Sequence, residues 1–461
     1  SADIPAGPSV VRKNSKRKEE YKKVIWKTKS LTIPEEQTKY RGSNSLSAEI
    51  MALDIPYQFF SFFFNDELLN LILEETRRYS IQKDPSQPLQ VSITDIQRYI
   101  GICYLMSLIH LLSARDYWSD NLGNQTIKET MSVKEFEKIR QFLHFIDNTK
   151  EIPRGINGHD RLFKVRPLIE GIRKRFMQVT MEECLSINEQ ICATKSRSIL
   201  KQYMPKKPHK WGFKFFVLCG VSGFAYDFEL YSGQENGAIR PPNEPDLGSA
   251  SNVVRLSRLI PRNHNHKLFF DNYFNSLPLL EFLSKNGILS LGTVRRNRIP
   301  NCKLPLESEM KKEKRGYSLE QVCINSTEIP CVTWMDNKPV NFLSTFVGSL
   351  PIENISRFDK KLHKKTDIPC PFVVKQYNKH MGGVDLLDSH LGRYRNKMRS
   401  KKYYFRVFYH LLDVIMINSW ILYKKVKANN PLSKIPLAKF REEVGVCLCK
   451  IGSETPNAKR G

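Results

Sequence analysis

Apolar positions along this chain change their period more than once, and each change marks a change of element. Residues 1–50 mix Lys, Arg, Ser, Pro and Glu without a sustained apolar period, which predicts a basic, disordered linker. From Tyr57 onward the spacing becomes helical: Leu68, Leu69, Leu71 and Ile72 form one run, and Ile96, Ile100, Tyr104 and Ile109 another. Ser92 with Asp95, and Ser132 with Glu135, stand at capping-box spacing ahead of such runs. Residues 51–183 are therefore expected to be the first part of a helical domain.

Near Leu185 the texture turns to short β-like runs at 185–191, 214–221, 224–231 and 267–270, the second and third joined by Ser222-Gly223 as in a hairpin. A short helix is expected at 277–283 and another strand at 289–295. This order predicts an α/β fold with a mixed sheet core over 184–300. Residues 301–365 are charged and strand-like, clearest at 332–335 and 340–347, and read as a β-rich insertion. The core resumes over 366–391. A second helical part follows over 392–445, basic at first and then apolar, before a disordered tail at 446–461.

Composition narrows the function classes. At 461 residues the chain expects two to four structural units, and 41% hydrophobic with 11% aromatic residues supports a sizeable core. A formal net charge of +26 points to a polyanionic partner, nucleic acid first; a ribosomal or membrane-surface protein can be as basic but rarely needs so large a core. No membrane span is expected, because the apolar run at 411–422 is broken by Asp413 and Asn418. Ten cysteines scattered from Cys103 to Cys449, without a CxxC pair or a leading secretory signal, read as reduced and intracellular, with neither disulfides nor zinc. Lys16-Arg17-Lys18 and Lys22-Lys23 read either as a nuclear-localisation signal or as solvated charge. Opening on Ser1 rather than Met, the chain is expected to be a piece of a longer protein.

Three acidic positions stand out. Asp271 follows the apolar strand Leu268-Phe269-Phe270, where a side chain leaves a buried sheet for a cleft. Asp385 and Asp388 follow a Gly-Gly pair at a spacing of three, which sets them on one face of a starting helix; capping that helix is the plain alternative. Among the basic residues, Arg393, Arg395, Lys397, Arg399, Lys401, Lys402 and Arg406 run without an acidic residue and alternate with Tyr394, Tyr403 and Tyr404. That pattern suits phosphate contacts, with a solvated basic helix face as the alternative. Lys206, Lys207 and Lys210, with Arg295 and Arg296, extend it.

The strings Phe270-Asp271-Asn272-Tyr273-Phe274-Asn275-Ser276, Gly292-Thr293-Val294-Arg295 and Tyr377-Asn378-Lys379-His380-Met381-Gly382-Gly383-Val384-Asp385 resemble the signature segments of piggyBac transposases, in the same order. Asp160 to Leu168 and Lys207 to Lys214 are similar to two further family segments, so the likeness runs from about residue 57 to 425. The resemblance implies an RNase H-like core in which three aspartates hold two divalent cations that clamp the attacking and leaving oxygens of phosphoryl transfer. Asp271 and Asp385 match two of them, and Asp388 a further acidic position. The first falls in Leu185-Ser186-Ile187-Asn188-Glu189-Gln190 and is Asn188, an amide with one oxygen and no charge. Glu189 points to the other face of a strand and is no substitute.

The resemblance further implies dimerisation through the helical domain, and a Cys/His-rich zinc module at the end of the chain that is expected to be missing here. The expected function is a domesticated, transposase-derived nuclear protein that binds DNA without transposing it and serves transcription or chromatin regulation, with nuclear protein partners. No cofactor is expected; Mg²⁺ enters only if activity survives. Two alternatives stay open: an active metal-dependent transposase of the DDE type, and a platform for protein or RNA.

Overall fold

The computed structural model describes residues 24–205, 207–233, 240–324, 327–359, 363–430 and 434–453. The basic cluster at 16–18 and 22–23, Lys206 and residues 454–461 lie outside them.

In chain order the strands are β1 (Ile25–Lys27), β2 (Cys184–Ala193), β3 (Lys201–Tyr203), β4 (Trp211–Gly220), β5 (Ala225–Leu230), β6 (Lys267–Phe270), β7 (Leu289–Val294), β8 (Ser318–Ile324), β9 (Glu328–Met335), β10 (Pro339–Ser344), β11 (Ile352–Asp359) and β12 (Lys364–Pro371). The principal helices are α1 (Pro56–Phe63), α2 (Asp66–Lys83), α3 (Ile93–Leu108), α4 (Gln125–Thr130), α5 (Val133–Phe142), α6 (Arg166–Phe176), α7 (Leu277–Lys285), α8 (Gly383–Arg393), α9 (Tyr403–Val426) and α10 (Leu437–Lys450). Both capping boxes form. Asp95 takes the Ser92 amide at 2.8 Å and Glu135 the Ser132 amide at 2.9 Å, so orphan donors at the starts of α3 and α5 are satisfied.

Two compact units result. The first comprises the described parts of Ser1–Arg41, Leu247–Val254 and Pro261–Lys379. Its strands lie in the order β1-β8-β9-β10-β7-β6, antiparallel except for the parallel pair β6 and β7, which α7 connects. β11 and β12 form a separate two-stranded ribbon. The second unit comprises the described parts of Gly42–Asp246, Arg255–Ile260 and His380–Gly461. Here β4 pairs antiparallel with β2 on one edge and with β3 and β5 on the other, and helices cover the strands. The β4–β5 turn needs Gly223, whose φ of 84° is open to glycine at little cost. The fold is α/β with an RNase H-like mixed sheet core.

In the second unit α9 is the central helix, buried from Val407 to Tyr423. It is long and apolar enough to cross a membrane by length and composition, but 94% of its apolar window is inside the fold. Its polar residues are tied there. Asn418 bonds both the amide and the carbonyl of Ala225, at 2.9 and 2.8 Å, which sews α9 to β5. Asp413 pairs with the buried Arg441 of α10.

Several expectations require correction. Residues 24–50 are not a linker: β1 pairs with β8, Thr28 exchanges hydrogen bonds with Gln321, and Ile50 is fully buried. A three-residue strand is too short to show a period. Residues 301–365 do not form a separate insertion, since β10 pairs with β7 from Asn341↔Val294 to Ser344↔Leu291 and so belongs to the same sheet. Strands β2 to β5 fall in one unit with the helices, because α8 and α9 are bonded to them. Residues 446–450 are the last turn of α10 rather than a tail. The basic stretch 394–402 is not helical. The Asp413 carboxylate takes the Asn396 amide at 2.9 Å and Arg406 donates to the Asn396 carbonyl at 2.9 Å, bonds that hold this backbone outside the helices on either side.

Candidate functional site

In the second unit α8, which carries Asp385 and Asp388, is bonded to β2, which carries Asn188. Asn188, opposite Val217 of β4, is half-buried, and its Oδ1 accepts the amide of Glu189 at 2.8 Å. The next carboxylate, Glu189, is committed to Lys214 at 2.5 Å, whose ammonium also lies 4.6 Å from the centre of the Phe216 ring. Gln190 shares the face of Asn188, two residues along the strand. Its Nε2 donates to Asp388 Oδ1 at 2.9 Å, and its Oε1 lies 2.8 Å from His410 Nε2. With the Gln190 nitrogen spent on Asp388, its oxygen accepts from His410, so Nε2 carries a proton, and burial favours the neutral ring.

Glycine sets the approach of α8. A Cβ on Gly383 would fall 2.4 Å from the Gly220 carbonyl oxygen and 2.7 Å from Ser186 Oγ, so no larger residue allows the helix to start this close to β2 and β4. One turn on, Asp385 is exposed while Asp388 is half-buried beside Gln190. Burial pushes the Asp388 carboxyl up to about 6, against the pull of Lys207, 4.0 Å away, and of the Gln190 bond. Among the described residues of this unit, no group of three or more His, Cys, Asp or Glu side chains is arranged to hold a metal ion.

In the first unit Asp271 sits where β6 ends, half-buried, and its Oδ1 accepts the Tyr273 amide at 2.8 Å. The loop it opens is held by arginines. Arg295 donates to Asn272 Oδ1 at 3.2 Å, and Arg298 to the Asn272 and Tyr273 carbonyls at 2.9 and 2.7 Å. Arg295 therefore braces the Asp271 loop, although it is also exposed.

The basic residues divide by what they touch. Arg393, Lys397, Arg399 and Lys401 are exposed. Arg406 is structural, donating to the Ala193 carbonyl at 2.9 Å. Arg395 and Lys402 are half-buried, and burial lowers the proton affinity of both. Lys402 lies 5.1 Å from the Phe405 ring and 5.4 Å from the Tyr79 ring. Lys207 serves Asp388, whereas Lys210 is exposed.

Arg399, Lys401 and Lys402 meet in a groove of about 1100 Å³ whose other walls carry Arg140, Lys195 and Glu137, the last paired with Arg115. Arg140 and Lys195 escaped the sequence reading. Arg140 sits on an amphipathic helix whose charges alternate in sign, and Lys195 lies well away from the basic run. The only available hint, for Lys195, was the absence of acidic residues between Glu189 and Asp227.

An RNase H-like mixed sheet core, and in the second unit an acidic helix start docked on β2 and β4 beside a basic segment, define a protein of the RNase H-like transposase class. A family model described as transposase IS4 matches residues 55–420. The chain belongs to the piggyBac transposase family, within its domesticated, transposable element-derived group. It is 29% identical over 409 residues to human PiggyBac transposable element-derived protein 2, covering 88% of this chain and 67% of that one. With human PiggyBac transposable element-derived protein 3 the identity is 28% over 429 residues, 92% of this chain and 70% of that one. Among solved structures, a piggyBac transposase synaptic complex with hairpin DNA, determined by cryo-EM, superposes with a TM-score of 0.73 at 21% identity, covering 91% of this chain and 86% of that one. At that identity the likeness establishes the fold.

Proposed function

We propose that this chain is a nuclear DNA-binding protein that keeps the grip of a transposase and has lost its ability to cut. The observation that carries this reading is Asn188. Two cations bridged at one position need an anionic oxygen pair, and Asn188 offers a single amide oxygen already accepting the Glu189 amide. Glu189 is paired with Lys214, and Asp388 has one oxygen bonded to Gln190 and lies 4.0 Å from Lys207, so neither neighbour replaces the missing anionic oxygen pair. That donor set does not fit a pair of magnesium ions.

DNA as partner is supported by the groove lined by Arg140, Lys195, Arg399, Lys401 and Lys402, by the charge of +26, and by the DNA in the superposed transposase complex. Binding without cutting suits regulation of transcription or chromatin, and nuclear location and homodimerisation belong to the same reading. The opposing reading, a working nuclease, rests on Asp271, Asp385 and Asp388. One experiment separates them: purified protein, DNA, and Mg²⁺ or Mn²⁺. We expect no nicking or joining by the natural chain and a gain of divalent-metal binding in Asn188→Asp. Cleavage by the natural chain that Asp271→Ala abolishes overturns the proposal.

A further inference from the structure

Two large aromatic side chains stand half in solvent on the edge of the second unit. Tyr203 is 51% exposed and Trp211 52%, while Trp334 and Trp420 are buried. They are direct cross-strand partners of β3 and β4, with ring centroids 4.8 Å apart and planes inclined at 43°. As a cross-strand pair they stabilise a three-residue edge strand, but that role does not require half of each ring to face water.

The surroundings are cationic. Lys201 Nζ lies 5.1 Å from the centre of the Trp211 ring. The loop beyond the pair is closed by the Met204 amide on the Lys210 carbonyl at 2.7 Å and carries Lys207 and the exposed Lys210. From Gln190 to Tyr226 the chain has no acidic residue, while Lys195, Arg197, Lys201, Lys207 and Lys210 all fall in that span.

We infer that Tyr203 and Trp211 are a stacking platform for unpaired nucleotides of DNA, with Lys201 and Lys210 taking the adjoining phosphates. The inference rests on the DNA-binding reading above and names a second, separate contact. A π face accepts any base, and a flanking cation meets the phosphate next to it. In a duplex the base faces are hidden in the stack, so a half-exposed aromatic pair selects unpaired bases. An apolar protein partner would not call for a cationic surround.

The test is equilibrium binding of the full chain to a short thymidine-only single strand and to a duplex of equal length, with the tryptophan fluorescence that Trp211→Phe removes as a second readout. Trp211→Ala and Tyr203→Ala should each weaken single-strand binding by between about fivefold and a hundredfold, the span of alanine substitutions at stacked bases. Trp211→Phe should keep most of the affinity, and duplex binding should change much less. Both side chains are half exposed, so thermal unfolding should stay close to that of the natural chain. Unchanged single-strand affinity in both alanine variants, with duplex binding intact, overturns this inference alone. No affinity of the natural chain for either probe at low salt overturns the DNA reading and this inference with it.

Discussion

Gln190 of β2 donates a 2.9 Å hydrogen bond to Asp388 of α8, and through its other side-chain atom ties the same carboxylate indirectly to His410 of α9. A strand and two consecutive helices far beyond it in the chain thus meet at one amide. Gln190→Leu keeps most of the volume but leaves a carboxyl and a buried imidazole without this partner. The cost should be about 1–3 kcal/mol by chemical denaturation, the range for an unsatisfied buried group. Asp388 should also titrate higher than about 6, because the lost bond was pulling it down.

Gly383→Ala tests the approach of α8. The added methyl meets the Gly220 backbone oxygen at 2.4 Å, and a backbone atom cannot swing away. A loss of about 1–3 kcal/mol is expected, as for overpacking elsewhere. A neutral result would mean that α8 starts further from β2 and β4.

Arg441 and Asp413 are both nearly inaccessible, and Asp413 also holds the Asn396 amide. Arg441→Ala strands a buried carboxylate and should cost about 3–5 kcal/mol. Asp413 anchors the basic segment as well, so DNA affinity should fall in the same variant even at temperatures where it stays folded. Denaturation and salt-dependent DNA binding, measured side by side, check both effects.

Lys401 is exposed and makes a cleaner probe. Lys401→Ala should leave stability within about 0.5 kcal/mol, weaken duplex binding at low salt, and reduce the slope of log affinity against log salt by about 0.9. An unchanged slope removes Lys401 from the phosphate-contacting set.

Stability should fall as pH drops through 6.5. Burial holds His144, His390 and His410 below their ordinary value of 6.5, so beneath that pH the unfolded chain takes up protons that the folded chain refuses. Asp388 acts the other way, since a carboxyl raised to about 6 binds a proton in the fold that the unfolded chain binds only near 3.8. His110 acts with the other histidines, and Glu75 and Asp227, raised by burial, act with Asp388; the histidines set the sign because their unfolded value of 6.5 makes their uptake the first to come as pH falls. Denaturant midpoints from pH 8 to pH 5 should therefore decline. In His410→Asn the decline should be shallower, by up to about 1.4 kcal/mol per pH unit for the one proton concerned.

The elements and their chemistry were largely legible in the chain. Side-chain period, Ser-x-x-Asp and Ser-x-x-Glu caps and a Ser-Gly turn are local, so α3, α5 and the β4–β5 hairpin fall where their residues predict. The amide at Asn188 is likewise a fact of sequence. Partners distant in the chain were not legible. That β1 pairs with β8, that β10 joins β7, that Arg406 and Asp413 hold the basic segment out of a helix, and that Arg140 and Lys195 share a groove with Arg399 are all settled by non-local packing. Local propensity fixes what each segment can become, while the burial of α9 and the pairing of its polar side chains decide which residues finally face one another.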